Sequence, residues 1–233
     1  MRLSFNQPYF LPWGGVFARL IHTDRMILLD ETLLSRGFSY VNRNRIKSPS
    51  GEVWITVPLK KKGRGFQKIK NLEIYEKERW LKKFLETLRH FYNKSLYFEE
   101  VFKEIRAAVE TPDKSFLNMA LALMDIIRKS FTIEQEFVLQ SETGISGKGT
   151  SLLVSLAKEF GAREVILPYF SQKAVELDRF GEAGIRVKFL RYDPPQYPQF
   201  WGEFIKKLSA LDLLLCCGKS GKSVIEKGSY LYG

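Results

Sequence analysis

The first thirty residues constrain the fold more than any other stretch of this sequence. Residues 1–7 alternate apolar and polar as a short strand does, ending at Gln7-Pro8. Pro8-Tyr9-Phe10-Leu11-Pro12-Trp13-Gly14-Gly15 carries two prolines and two glycines, the composition of a stiff loop. Val16 to Thr23 sets Phe17, Leu20 and Ile21 on one face of a short helix. Met26-Ile-Leu-Leu29 is then a wholly apolar strand that stops at Asp30. Strand, loop, helix and strand in about thirty residues is the size of a parallel βαβ unit.

A similar alternation returns later. Thr150–Phe160 reads as a helix closed by Gly161, Glu164–Leu167 as a strand, Gln172–Ala183 as a helix closed by Gly184, and Arg186–Leu190 as a strand. Between the two regions, residues 42–47 and 51–59 look like β structure around a Ser48-Pro49-Ser50-Gly51 turn. Glu76–Arg89, Tyr97–Val109 and Ser115–Lys129 have helical spacing. Leu208–Cys217 suits a helix or a buried strand, and its pattern does not decide between them. The expected fold class is α/β: one domain over residues 1–233, a parallel sheet of βα units with a mainly helical insertion at about 76–130. A chain of 233 residues, 45% of them hydrophobic, can bury a core of that size.

The formal charge of +11 argues for an anionic partner or substrate. Residues 1–70 hold 13 Lys and Arg against 4 Asp and Glu, while the remainder holds 24 against 22, so the positive potential belongs to one segment. The two cysteines, Cys216 and Cys217, are adjacent, too close for an easy bridge and without another partner, which fits a reducing cytosol. No signal peptide is expected, and no apolar run approaches the roughly 20 residues of a bilayer span. A soluble, cytoplasmic protein is expected, with the oligomeric state left open.

On a strand, Asn42-Arg-Asn-Arg-Ile-Lys47 puts Arg43, Arg45 and Lys47 on one face and Asn42, Asn44 and Ile46 on the other. Two guanidinium forks beside an ammonium suit a diphosphate or carboxylate, and equally suit an edge strand defended by charge. Lys60–Lys68, basic with two glycines, is either a phosphate loop or a mobile tip. Ligands of open α/β sheets bind outside the carboxyl ends of the strands. The loop Gln7–Gly15 is therefore a candidate, with Tyr9 or Trp13 stacking on a base or sugar, or merely covering the core. Asp30 and Asp212 end or interrupt apolar runs; each is either a catalytic base or ribose ligand, or a partner for the Arg43/Arg45 strand.

Other signals fail. Gly218-Lys-Ser-Gly-Lys-Ser223 would need a glycine where Cys216 stands to make a phosphate-binding loop. With only His22 and His90, no metal site is expected, and no cofactor is implied. Both cysteines close an apolar run and suit buried, inert thiols.

Gln7-Pro-Tyr-Phe-Leu-Pro-Trp13, Asp24, Leu29-Asp30, Asn42–Lys47, Gly51 and Trp54-Ile-Thr-Val-Pro58 resemble the N-terminal signature of the WbqC-like family. Trp80, Tyr92 and Tyr97-Phe98 are similar to its middle region; Gln196-Tyr197, Gln199 and Leu208–Leu214 before Gly218 are similar to its C-terminal signature. The resemblance adds Asn42, Asn44, Tyr197 and Gln199 to the ligand-binding candidates. It implies a bacterial protein of surface-polysaccharide (O-antigen) gene clusters, a sugar-nucleotide ligand, and acyl or aminoacyl transfer to a nucleotide-linked amino sugar. This chain departs from the family pattern at Tyr40, at Phe84 where a histidine is expected, and at Pro194-Pro195, so a histidine acid–base mechanism is in doubt and a non-catalytic accessory role stays open. A weaker similarity, of Phe10–Val16 to the first strand–helix loop of the HxGH nucleotidylyltransferases, implies a HUP-like fold, with Trp13 and Val16 at the histidine positions. Nucleic-acid binding is the rival: a sequence pI near 9.6 and interleaved aromatics favour it, while the absence of a recognised motif does not.

Overall fold

The computed structural model describes residues 1–233 apart from Arg36 and Phe38. Strands β1 (Arg2–Asn6), β2 (Arg25–Leu28), β3 (Arg43–Ser48), β4 (Gly51–Thr56), β5 (Glu136–Leu139), β6 (Glu164–Pro168), β7 (Arg186–Tyr192) and β8 (Ser229–Tyr232) follow one another along the chain. The main sheet has the order β5-β2-β1-β6-β7-β8, and β3 with β4 forms a separate hairpin. Every neighbouring pair in the main sheet is parallel except β7 with β8.

Helix α1 (Gly14–Ile21) joins β1 to β2, as the opening residues predict. The chain then makes the β3–β4 hairpin and helices α2 (Lys77–Tyr92), α3 (Phe98–Val109) and α4 (Phe116–Ser130) before adding β5. The segment between β2 and β5 therefore begins well before residue 76 and includes a hairpin. Helix α5 (Gly149–Glu159) carries the chain back across the sheet to place β6 on the other side of β1. Helix α6 (Leu177–Glu182) joins β6 to β7, and α7 (Ala210–Cys217) and α8 (Gly221–Lys227) precede β8.

Alternation along the strands builds two cores. Leu3, Phe5, Ile27, Val165, Leu167 and Phe189 pack with α5 and α6 on one face. Met26, Leu28, Ile166 and Leu190 point the other way, into a larger cluster with α1, the hairpin, α2–α4, α7 and α8.

The ambiguous stretch at 208–217 is a helix, started by Ser209 Oγ accepting from the Leu211 N–H at 3.2 Å and ended by Gly218 at φ 54°. Gln172–Ala183 is broken into a 3₁₀ turn over Tyr169–Ala174 and the short α6. β5 and β8 carry only four residues each, too few for a period to register in the sequence.

Gly218 closes α7 where the Tyr97 ring leaves no room for a Cβ, and its positive φ disfavours any other residue. Gly218→Ala is expected to lower stability by about 1–3 kcal/mol, read as a lower urea midpoint with an unchanged m-value.

Candidate functional site

Between β1 and β6 the order of strand addition reverses, so the loops leaving these two strands run to opposite faces and leave a crevice at their carboxyl ends. A cavity of about 200 Å³ lies there, walled by Asn6, Tyr9 and Trp13 after β1, Pro168–Phe170 after β6, and Leu190–Asp193 at the end of β7. A second concavity of about 250 Å³ adjoins it, sharing Tyr9, Trp13, Phe170 and Lys207 and adding Tyr40, Asn44 and Arg45. Phe170 stands at the mouth, 77% exposed.

The loop that builds this wall is fixed by hydrogen bonds from distant segments. The Phe10 N–H donates to Val41 O at 2.7 Å, Asn44 Nδ2 to Leu11 O at 2.6 Å, and the Ala210 N–H to Pro12 O at 2.8 Å. Leu11 sits at φ 46°, a conformation that needs such outside support. Trp13 then closes against Tyr192, ring centroids 5.4 Å apart. Glycines permit the approach: a Cβ on Gly14 would meet the Tyr192 hydroxyl at 2.7 Å, and one on Gly15 would meet the Trp13 ring at 2.5 Å.

Arg19 of α1 lies at the floor, 4% exposed, among the cavity-lining residues. Its Nη1 donates to Phe5 O at 2.7 Å and to Ser4 Oγ at 3.3 Å, and its Nη2 to Asn6 Oδ1 at 2.6 Å. Burial lowers its pKa to about 10, so the guanidinium stays charged at neutral pH. Among the described residues no carboxylate pairs with it, although a buried charge ordinarily needs a counter-charge. Lys207 borders both concavities in a left-handed conformation, φ 61°.

Of the residues singled out in the sequence, Tyr9, Trp13, Asn44 and Arg45 meet here. Arg45 is partly committed, with Nη1 on Glu52 Oε2 at 2.6 Å and its guanidinium 5.5 Å from the centre of the Trp54 ring. Asn44 holds Leu11, and Asn42 holds the hairpin through Nδ2 to Val57 O at 2.8 Å. Gln7 turns away from the crevice, its Nε2 donating to Thr32 Oγ1 at 2.9 Å. Arg43 opens β3, half-buried and outside both cavity walls.

The expectation that Lys47 projects beside Arg43 and Arg45 needs correction. Lys47 is 1% exposed, its Nζ donating to Glu203 O and, at 3.4 Å, to Gln199 Oε1. The alternation of β3 is as read, but packed chain covers that end of the strand and removes it from solvent.

Asp212 also differs from both expectations for it. It is fully buried, and its oxygens accept from Tyr92 Oη at 2.6 Å and Tyr197 Oη at 2.8 Å. Gln199 Nε2 donates to the Tyr197 oxygen at 2.9 Å, and the Lys47 N–H to the Tyr92 oxygen at 2.9 Å. Asp212, Tyr197, Gln199 and Lys47 thus form one internal network, and the carboxylate meets tyrosines where a salt bridge to the arginine strand was expected. Asp30 is equally buried, with Oδ1 accepting from the Ser141 N–H at 3.0 Å. Burial raises both thiols: Cys216 lies far above the ordinary range and Cys217 less so, which suits inert side chains.

Sequence reasoning missed Arg19, Lys207 and Tyr192. Arg19 was findable, because a cation inside Val16-Phe-Ala-Arg-Leu-Ile21 raises the same question as a carboxylate inside an apolar run. Lys207 and Tyr192 carry no local signal; tertiary structure alone brings them to β1.

Fold and crevice together define an α/β protein with a cleft at the reversal point of a mostly parallel sheet. The chain belongs to the WbqC-like protein family, whose model matches residues 7–224. The uncharacterized protein Rv1507c of Mycobacterium tuberculosis is 29% identical over 221 residues, covering 93% of this chain and 94% of that protein. No solved structure matches the chain. Among the described residues no helix is long and apolar enough to cross a membrane.

Burial holds the Asp212 carboxyl above the usual range, against the lowering effect of the two tyrosine hydroxyls and Lys47. A carboxyl raised in the folded state contributes stability that is full below its unfolded pKa and fades as pH rises through the folded one. Wild type should therefore lose stability relative to Asp212→Asn as pH rises from about 4. Urea midpoints of the two proteins at several pH values check this; a difference moving the other way would show that the hydroxyls outweigh burial.

Proposed function

We propose that the protein binds a nucleotide-linked amino sugar in the crevice between β1 and β6, and that it acts in bacterial surface-polysaccharide (O-antigen) biosynthesis as an acyl- or aminoacyltransferase on that ligand. The observation that carries the reading is Arg19, a buried, charged guanidinium at the floor of the cleft with no carboxylate partner among the described residues. A diphosphate above it supplies the missing counter-charge in a site screened from water, with Lys207 and Arg45 at the rim. Tyr9, Trp13 and the exposed Phe170 offer ring faces to a base or sugar. Asp193, held below the usual carboxylate range by Lys206 at 3.1 Å, stays ionised and suits a sugar hydroxyl or amine.

The strand order supports a nucleotide site at this point and is compatible with a HUP-like ancestry. Nucleotidyl transfer does not form part of the proposal. By the resemblance of Phe10–Val16 to the HxGH loop, Trp13 and the buried Val16 would stand where those enzymes carry histidines, and no histidine lines either concavity among the described residues.

Millimolar UDP- and dTDP-linked amino sugars are expected to raise the melting temperature and to quench tryptophan fluorescence. Trp13→Phe should remove most of the quench, and Lys207→Ala and Arg45→Ala should each weaken binding about tenfold, roughly the worth of one charge-assisted contact. Melting temperatures unmoved by these sugars and by free UDP and dTDP would sink the proposal. A shift with oligonucleotides alone, steeply dependent on salt, would replace it with nucleic-acid binding.

A further inference from the structure

The carboxyl edge of the sheet holds a second concavity on the far side of β1, where β2 and β5 end. It measures about 770 Å³, within the range of about 300–1,000 Å³ typical of small-molecule sites. Three segments enclose it: residues 29–33 after β2, residues 140–150 between β5 and α5, and Ala174-Val175 after β6. Each is pinned. The Ile69 N–H donates to Thr32 O at 2.9 Å, Gln140 Nε2 to Ile145 O at 3.1 Å, and the Glu176 N–H to Thr150 Oγ1 at 3.1 Å.

The amino end of α5, an eleven-residue helix, opens into this cavity through Gly147-Lys148-Gly149-Thr150. No side chain caps it, and the N–H groups of Gly149, Thr150 and Ser151 have no acceptor among the described residues. Gly149 sits at φ 56° with open space where its Cβ would point. Exposed backbone donors at the positive end of a helix dipole, with Lys148 beside them, attract an anion. Gln140 lines the same cavity, is 2% exposed, and has an Oε1 that accepts no hydrogen bond. A buried acceptor without a donor is costly, so the oxygen has an unmet requirement for an N–H or O–H. Leu29, Leu33, Leu152, Leu153 and Val175 supply an apolar wall.

We infer that this cavity is a second ligand site, for a small organic anion. Its phosphate or carboxylate sits on the amino end of α5 and Lys148, a neighbouring hydroxyl or amine donates to Gln140 Oε1, and an apolar body lies on the leucines. Lys68 and Glu31 also border the cavity; they are paired with each other at 3.2 Å, and Glu31 is paired with Lys70 as well, so the carboxylate is neutralised and Lys68 adds little free charge. The inference is independent of the ligand proposed for the crevice between β1 and β6.

The test is an amide-resolved NMR titration of the whole chain with phenyl phosphate, benzoate, 2-hydroxybenzoate and inorganic phosphate, repeated on two variants; the wild-type chain is expected to prefer 2-hydroxybenzoate to benzoate through its added hydroxyl. Saturable shifts are expected at Gly147–Ser151 and Thr32-Leu33, with phenyl phosphate or benzoate binding at least tenfold tighter than inorganic phosphate because of the apolar wall. The stronger of the two aromatic probes identifies the preferred oxyanion. Lys148→Glu, an exposed change that leaves the fold intact, should weaken that probe at least tenfold. Gln140→Met should abolish the preference for 2-hydroxybenzoate over benzoate while leaving benzoate itself nearly unchanged. Shifts confined to Trp13–Gly15 and Tyr169-Phe170 would overturn this site and leave the crevice reading standing. Binding unaffected by Lys148→Glu would equally overturn it.

Discussion

A carboxylate with no access to water has to be satisfied from within, and that requirement at Asp212 organises much of this molecule. Its two oxygens draw hydroxyls from α2 and from the segment before α7, and those tyrosines in turn engage Lys47 of β3 and Gln199. Four stretches far apart in sequence meet at one buried carboxyl. Because a desolvated polar group is costly to leave unpaired, each of these hydrogen bonds resists being broken and the junction is stiff. Its stiffness reaches the surface at the start of α7, where the Ser209 N–H donates to Arg45 O and the Ala210 N–H to Pro12 O. The aromatic loop after β1 is therefore held by a scaffold anchored at Asp212.

The crevice inherits its shape from that scaffold and its charge from another source. Arg19 belongs to the first βα unit and is held by backbone and side-chain oxygens of β1 itself. Neutral acceptors orient a guanidinium without cancelling it, so the field at the floor of the cleft stays positive. On the far side of β1, backbone N–H groups and Lys148 do the equivalent at the amino end of α5. Both concavities open at the carboxyl ends of parallel strands, where loops diverge and backbone groups are left to be satisfied by something other than the sheet.

What was legible in the sequence followed from short-range pattern. The opening βαβ unit, the α5–β6 alternation and the helices of the middle segment have enough turns or enough apolar contrast to declare themselves. β5 and β8 do not, because four residues at the margin of a sheet obtain their conformation from a neighbour. At the site, Tyr9 and Trp13 were reachable from the rule that ligands gather beyond strand ends, and Arg45 from residue type. Alternation gave the faces of β3 but could not tell that Lys47 lies under packed chain. Nor could an isolated carboxylate in an apolar run reveal whether its partner is an arginine or two tyrosines, since those tyrosines come from positions 92 and 197.

The order of the strands sets a timetable for the newborn chain. Leu3 of β1 lies beside Val165 of β6, and Met26 of β2 beside Phe137 of β5, so the earliest strands wait for partners made much later. At ribosomal rates the wait is on the order of ten seconds. During it Leu3, Phe5, Met26 and Ile27 have no completed sheet to shelter them. Until translation is nearly finished such a nascent chain presents apolar segments open to wrong association, and a chain cut anywhere before β6 leaves its first strand without one of its two neighbours.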